Sequence, residues 1–237
     1  NLFIAKNVPY AAQCAMSTAP YPQRRARLLE KIRSGIAIIP TAPEVSRNGD
    51  THYAYRHDSY FYYLTGFTEP EAVLVMIAGD EPQSILFCRE KNPEREIWDG
   101  HRYGPDAARE QFGFDAAHPI AQLDEKLAEL MCNQPALFYP LGHDAAWDQR
   151  ILKLRGTVQE KVRSGIHAPD EIRDVRALLN EMRLFKDAHE LDIMRRAAAI
   201  SACPAIWITC KPMVRIRPRW PSARIWNGKQ PLRKTCS

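Results

Sequence analysis

The sequence predicts an α/β fold in which a mixed β-sheet is flanked by helices. Short apolar runs rich in β-branched residues recur along the chain, and stretches of helical spacing lie between them. The runs are joined by a tight turn, which makes neighbours antiparallel, and by helical crossovers, which allow parallel neighbours.

The elements follow in order. Arg24 to Arg33 (RRARLLEKIR) places Leu28, Leu29 and Ile32 on one face with basic residues opposite, the pattern of a surface helix packed on a sheet, and Gly35 ends it. Ile36 to Pro40 (IAIIP) reads as a buried strand. Thr41 to His52 reads as loop from its Pro, Asn-Gly and Asp content. Tyr53 to Phe67 carries seven aromatic residues with few interleaved cations, which favours a short helix packed on the sheet over a stacking platform for bases or sugars. Ala72 to Ala78 and Ser84 to Cys88 pair as a hairpin across the turn Gly79-Asp80-Glu81-Pro82. Glu94 to Trp98 (EREIW) alternates and reads as a further strand at a sheet edge. Pro105 to Phe112, Ile120 to Met131 and Asp144 to Leu154 have helical spacing, and Ala136 to Tyr139 (ALFY) is a short strand between the last two. His167 to Asp174 has the Pro and charge of an interdomain connector. Asp187 to Ala202 opens another helix, with Asp187 as N-cap and Glu190 reaching back in a capping box.

At Ala202 the composition changes. Residues 203–237 hold 8 Lys/Arg, no Asp or Glu, 5 Pro and 3 of the 5 Trp, with no period of 2 or 3.6. That pattern favours an out-of-frame translation product over a basic, disordered tail. Removing the tail's +8 from the chain's +5 leaves the preceding part at −3, so nucleic acid and anionic membranes are not expected partners. Residues 1–15 precede Met16 and read as a leader or non-native extension, too broken by polar residues and Pro9 for a membrane span. Only Cys88 and Cys132 lie between these ends, which suits a reducing, cytoplasmic setting.

Catalytic patterns are scarce. The chain lacks a Gly-x-Gly-x-x-Gly, a phosphate loop, a Gly-x-Ser-x-Gly elbow and zinc-finger spacing. His189-Glu190 has Ile193 where a helical metal site needs a second His. His52, His57 and Asp58 are dense, but Asp50 and Asp58 stand eight residues apart, so hydrogen bonding within a loop is the preferred reading over a metal site.

Four segments carry a family resemblance: Tyr53–Val75 (YAYRHDSYFYYLTGFTEPEAVLV), Glu96–Gly104 (EIWDGHRYG), Glu181–Lys186 (EMRLFK) and Glu190–Ala199 (ELDIMRRAAA). In this order they resemble aminopeptidase P, the Xaa-Pro aminopeptidases of the creatinase and prolidase superfamily. The resemblance implies a ribonuclease-H-like N-terminal domain at 16–174, then a linker and the first helix of a truncated pita-bread catalytic domain at 175–202. It implies a metalloaminopeptidase whose two Mn(II) ions, held by two Asp, one His and two Glu, activate a water against the bond preceding a proline in the second position of a peptide. Those ligands belong beyond the position of Ala202, so no catalytic or metal residue is assigned here and the chain is expected to be inactive. Trp98 matches an aromatic that family oligomers extend toward a neighbouring subunit's active-site mouth. His101 and Arg102 beside it are assigned with Trp98 to substrate binding. A free-standing oligomerisation or interaction module is the alternative.

Overall fold

The structure, a computed structural model, describes residues 20–202. The expectations for residues 1–15 and 203–237 lie outside the described residues. The chain divides into two compact units, Asn1–Lys186 and Asp187–Ser237.

The first unit is built on one sheet. Helix α1 (Tyr21–Ile32) leads into β1 (Gly35–Pro40). A small hairpin, β2 (Ser46–Asn48) and β3 (Thr51–His52), turns through Gly49-Asp50, where a plain loop was expected. Helix α2 (Ser59–Thr65) follows, then the antiparallel pair β4 (Val73–Ala78) and β5 (Gln83–Cys88). After them come α3 (Pro93–Asp99), α4 (Gly104–Phe112), β6 (Ala116–Pro119) and a 3-10 turn at Ile120–Gln122 that runs into α5 (Leu123–Leu130). The unit closes with β7 (Ala136–Tyr139), α6 (Ala145–Gln159), β8 (Glu171–Asp174) and α7 (Val175–Leu184).

The sheet order is β6-β5-β4-β1-β7-β8, and only β4 runs against the rest. Both faces are covered, which is why the strands read as continuous apolar runs. Ala37, Ile39, Leu74, Met76, Leu86 and Phe138 point to the face beneath α1, α2, α4 and α7. Ile36, Ile38, Val73, Val75, Phe87 and Leu137 point to the face beneath α5 and α6. Period-2 alternation thus distributes one strand between two cores.

Three expectations are corrected. Glu94–Trp98 is helix, because the Asn92 side chain accepts from the amides of Glu94 and Arg95 at 3.1 Å, Pro93 stands in the first turn, and Gly100 closes the end. These end signals outweigh a five-residue alternation. The stretch expected as a connector contains β8, which pairs in parallel with β7 from Ala136↔Glu171 to Tyr139↔Asp174. With one partner strand and exposed Glu171, Arg173 and Asp174, it has no apolar signature. Helix α7, expected as part of a linker, buries Val175, Leu179 and Met182 in the core of the first unit.

Helix α1 departs from expectation on its basic side. Arg24 and Arg25 are buried instead of facing water. Arg24 donates to the Tyr63 carbonyl at 3.0 Å. Arg25 donates to the carbonyls of Leu64 at 3.1 Å and Phe112 at 3.0 Å, and to that of Gly113. These acceptors are the last carbonyls of α2 and α4, which lack intrahelical partners and carry partial negative charge.

In the second unit, α8 (Ala188–Ala202) starts at the expected capping box: the Asp187 amide donates to Glu190 Oε2 at 3.1 Å and the Glu190 amide to Asp187 Oδ1 at 2.8 Å. Among the described residues no helix is long and apolar enough to cross a membrane.

Candidate functional site

Five of the six strands end on one edge of the sheet, the side where open α/β sheets place ligands. The chain leaving β5 at that edge forms α3 and the turn to α4, and so presents Trp98, His101 and Arg102. Trp98 is 87% exposed and its neighbour Ile97 78%, an apolar pair facing solvent from the last turn of α3. Trp98 thus stands on a helix and not on the edge strand expected for Glu94–Trp98.

The turn that carries these residues is held by two carboxylates. Glu96 Oε1 accepts the Arg102 amide at 3.0 Å and lies 3.9 Å from His101 Nδ1. Glu69 Oε1 accepts the Tyr103 amide at 2.7 Å. Glu69 is itself buried, with Arg89 Nη2 3.8 Å from its other oxygen. Below, the Tyr103 ring meets Phe112 at 5.4 Å, edge to face, and Phe67 at 5.9 Å. The backbone on one side of Trp98 is thus tied to the core while its indole stands in solvent. Glu69 and Arg89 were missed by sequence reasoning, since nothing in the Glu-Pro-Glu motif marks one of its acids as buried.

On the same edge, Asp174 caps α7 by accepting the Arg176 amide at 2.8 Å. Its carboxylate also receives the Arg176 guanidinium, with Nε at 3.0 and 2.9 Å and Nη2 at 2.7 Å, while Nη2 reaches the Leu141 carbonyl at 2.7 Å. The guanidinium holds the Asp174 carboxyl below the usual carboxylate range. A depressed carboxyl contributes stability above its unfolded value, about pH 3.9, and loses it as the pH falls through the lower folded value. Asp174→Asn keeps the cap but removes the charge. Acid unfolding followed by circular dichroism is expected to have a shallower limb below about pH 4 in the variant. An unchanged limb would show that the pair stores no pH-dependent stability. The effect is small because the carboxylate is exposed and the guanidinium only partly buried.

The histidines of the 52–58 segment do not converge. Asp58 caps α2, accepting the amides of Tyr60 and Phe61 at 2.8 and 2.9 Å. His57 stacks on Tyr62 at 4.2 Å, and burial with the nearby Arg56 charge pushes its pKa down. Among the described residues no group of three or more His, Cys, Asp or Glu converges to hold a metal. The described part therefore does not fit the Mn(II) pair that the resemblance implies.

The exposed indole gives a direct expectation for this chain. Trp98→Ala removes a side chain with little packing, so thermal stability is expected to change by less than about 0.5 kcal/mol. A larger loss in calorimetry would mean that Trp98 is a structural residue.

Comparisons with known proteins agree with this architecture. A model of the aminopeptidase P N-terminal domain matches residues 21–139. The Xaa-Pro aminopeptidase of Escherichia coli K12 is 37% identical over 190 residues, covering 79% of this chain and 43% of that protein. The mitochondrial intermediate cleaving peptidase 55 of Arabidopsis thaliana is 32% identical over 187 residues, covering 78% of this chain and 36% of that protein. Among solved structures, Pseudomonas aeruginosa aminopeptidase PepP superposes with a TM-score of 0.74 at 42% identity, over 77% of this chain and 42% of that one. The low-pH form of E. coli aminopeptidase P gives 0.72 at 38% identity, over 75% and 41%. The chain thus spans less than half the length of these relatives. By the family model, the sheet order and these superpositions, the chain belongs to the aminopeptidase P N-terminal domain family.

Proposed function

We propose that this chain is the non-catalytic N-terminal part of an Xaa-Pro aminopeptidase, serving Mn(II)-dependent release of the residue before a proline in a longer polypeptide and lacking turnover alone. The supporting observation is the span of the match: the aligned region takes in 79% of this chain, whose first unit is built around its own two cores, yet occupies only 43% of the E. coli enzyme. In this reading Trp98, His101 and Arg102 contact the peptide at the mouth of a site made elsewhere. A homo-oligomer supplies that geometry, because an exposed indole on a tethered turn reaches away from its own unit. The cytoplasm is the proposed location.

The test uses a peptide with proline in the second position and added Mn(II). The purified chain is expected to release no N-terminal residue, and metal-dependent turnover overturns the reading. A chimera carrying residues 20–186 in place of the matching part of the E. coli enzyme is expected to turn over. Trp98→Ala within it should lower kcat/KM about tenfold, the scale of a lost positioning contact. An unchanged kcat/KM removes Trp98 from the site.

A second reading, a free-standing oligomerisation or interaction module, is favoured by the adjacent exposure of Ile97 and Trp98. Light scattering distinguishes it: a chain that stays monomeric alone and with a full-length relative counts against it.

A further inference from the structure

At the sheet edge opposite Trp98, an open groove of about 480 Å³ runs along α1. It lies between one face of that helix and the ends of β4, β5 and β6, and its size falls in the range of small-molecule sites, about 300–1,000 Å³. Pro22, Ala26, Leu29 and Arg33 recur along the helix at spacings of four, three and four, so they form one stripe. Across from them Ala78 and Pro82 complete an apolar floor. No role in the proposed function uses this groove.

Its charges are unequal in depth. Arg25 is 2% exposed, and among the described residues it makes no ion pair. Its Nη1 and Nη2 are committed to backbone carbonyls, while Nε has no partner among the described residues. The guanidinium also lies 4.3 Å over the Phe114 ring. Arg33 adds a second, exposed cation at the end of the stripe. The two acids on the lining, Glu30 and Asp115, are exposed, and Asp115 Oδ2 already accepts the Ser84 amide at 2.7 Å and its hydroxyl at 2.8 Å. A buried charge acts through a lower dielectric than exposed ones, so Arg25 dominates the field in the groove. Burial lowers its pKa to about 10 despite nearby Asp115, the mark of a cation whose desolvation is incompletely offset.

We propose that this groove binds a small organic monocarboxylate with an apolar body, its carboxylate on the Arg25 and Arg33 side and its body on Ala26, Leu29, Ala78 and Pro82. An anion is favoured over a cation because the deeper fixed charge is positive. A single carboxylate on an apolar body is favoured over a polyphosphate because the floor is apolar and exposed acids stand on the rim.

The test uses 4-phenylbutyrate as probe, with its neutral amide and 4-phenylbutylamine as matched controls. Amide chemical shifts of the full chain are followed by NMR. The carboxylate is expected to cause saturable shifts at Ala26, Leu29, Gly79 and Gly113, with the amide about tenfold weaker, the scale of a charge-assisted contact, and the amine weaker still. Ala26→Trp changes an exposed position of α1, leaves the Arg25 bonds in place, fills the groove and should abolish the shifts. Arg33→Ala should weaken binding about threefold, as a rim charge does. Binding by the amide or the amine as tight as by the carboxylate overturns the proposal. Shifts that survive Ala26→Trp, or no saturable shift up to about 20 mM, a concentration well above a millimolar Kd, overturn it as well.

Discussion

Gly35→Ala is expected to destabilise the chain by about 3–5 kcal/mol, among the largest effects of any single methyl added to it. Gly35 opens β1 at φ +126°, a conformation that side chains rarely adopt. A Cβ there would stand 2.5 Å from the Ala136 carbonyl oxygen, 3.2 Å from its carbon and 3.3 Å from the Phe138 ring. The clash falls on β7 backbone, which cannot rotate away as a flexible side chain does. The central strand must therefore part from β7 where Ile36 and Leu137 pair. Gly79→Ala is the control, because Gly79 has φ +156° but open space around the position of a Cβ. It should cost about 1 kcal/mol, the low end of the penalty for a side chain held in a sparsely populated backbone conformation. Urea denaturation of both variants separates crowding from conformational preference. If Gly35→Ala loses no more than Gly79→Ala, β1 and β7 have room that the structure does not show.

Arg25→Met is expected to cost about 3 kcal/mol, because the flexible apolar chain fills similar volume but leaves the last carbonyls of α2 and α4 without donors. The loss exceeds that of a typical surface arginine because the bond to the Leu64 carbonyl is buried and those to Phe112 and Gly113 are partly so. Arg25→Lys should fall between the two, since an ammonium is a compact donor and cannot span two helix ends as a planar guanidinium does. The readout is the shift in the urea midpoint at constant slope. A methionine variant as stable as the parent would mean that water reaches those carbonyls. The same bonds explain why an arginine beside Arg24 faces inward: it ties together α1, α2 and α4, three helices of the same layer.

Much of this layout was legible in the chain. β1, the β4–β5 hairpin and β7 were visible because a sheet covered on both faces requires apolar residues at every strand position, and continuous runs such as AVLVMIA meet that demand openly. The α8 start was visible because a capping box is local, needing only Asp187 and Glu190. The EIWDGHRYG segment enters as a site candidate through the resemblance alone. Its conformation was not legible, because the short alternation of Glu94 to Trp98 matched a strand while the deciding signals were Asn92 and Pro93 just upstream. β8 was hidden because an edge strand borrows its hydrogen bonds from β7 and needs few apolar residues of its own.

By itself the sequence determined the fold class, the family and the order of the main elements, since these rest on periodicity and on motifs contiguous in the chain. Only the tertiary structure decided which charges are buried and which apolar residues are exposed. Arg25 lies inside because carbonyls from residues 64, 112 and 113 converge on it, and Trp98 stands outside because Glu69 and Glu96 hold the turn that carries it. Both outcomes depend on partners far apart along the chain, and a side chain's burial is a property of what meets it in space.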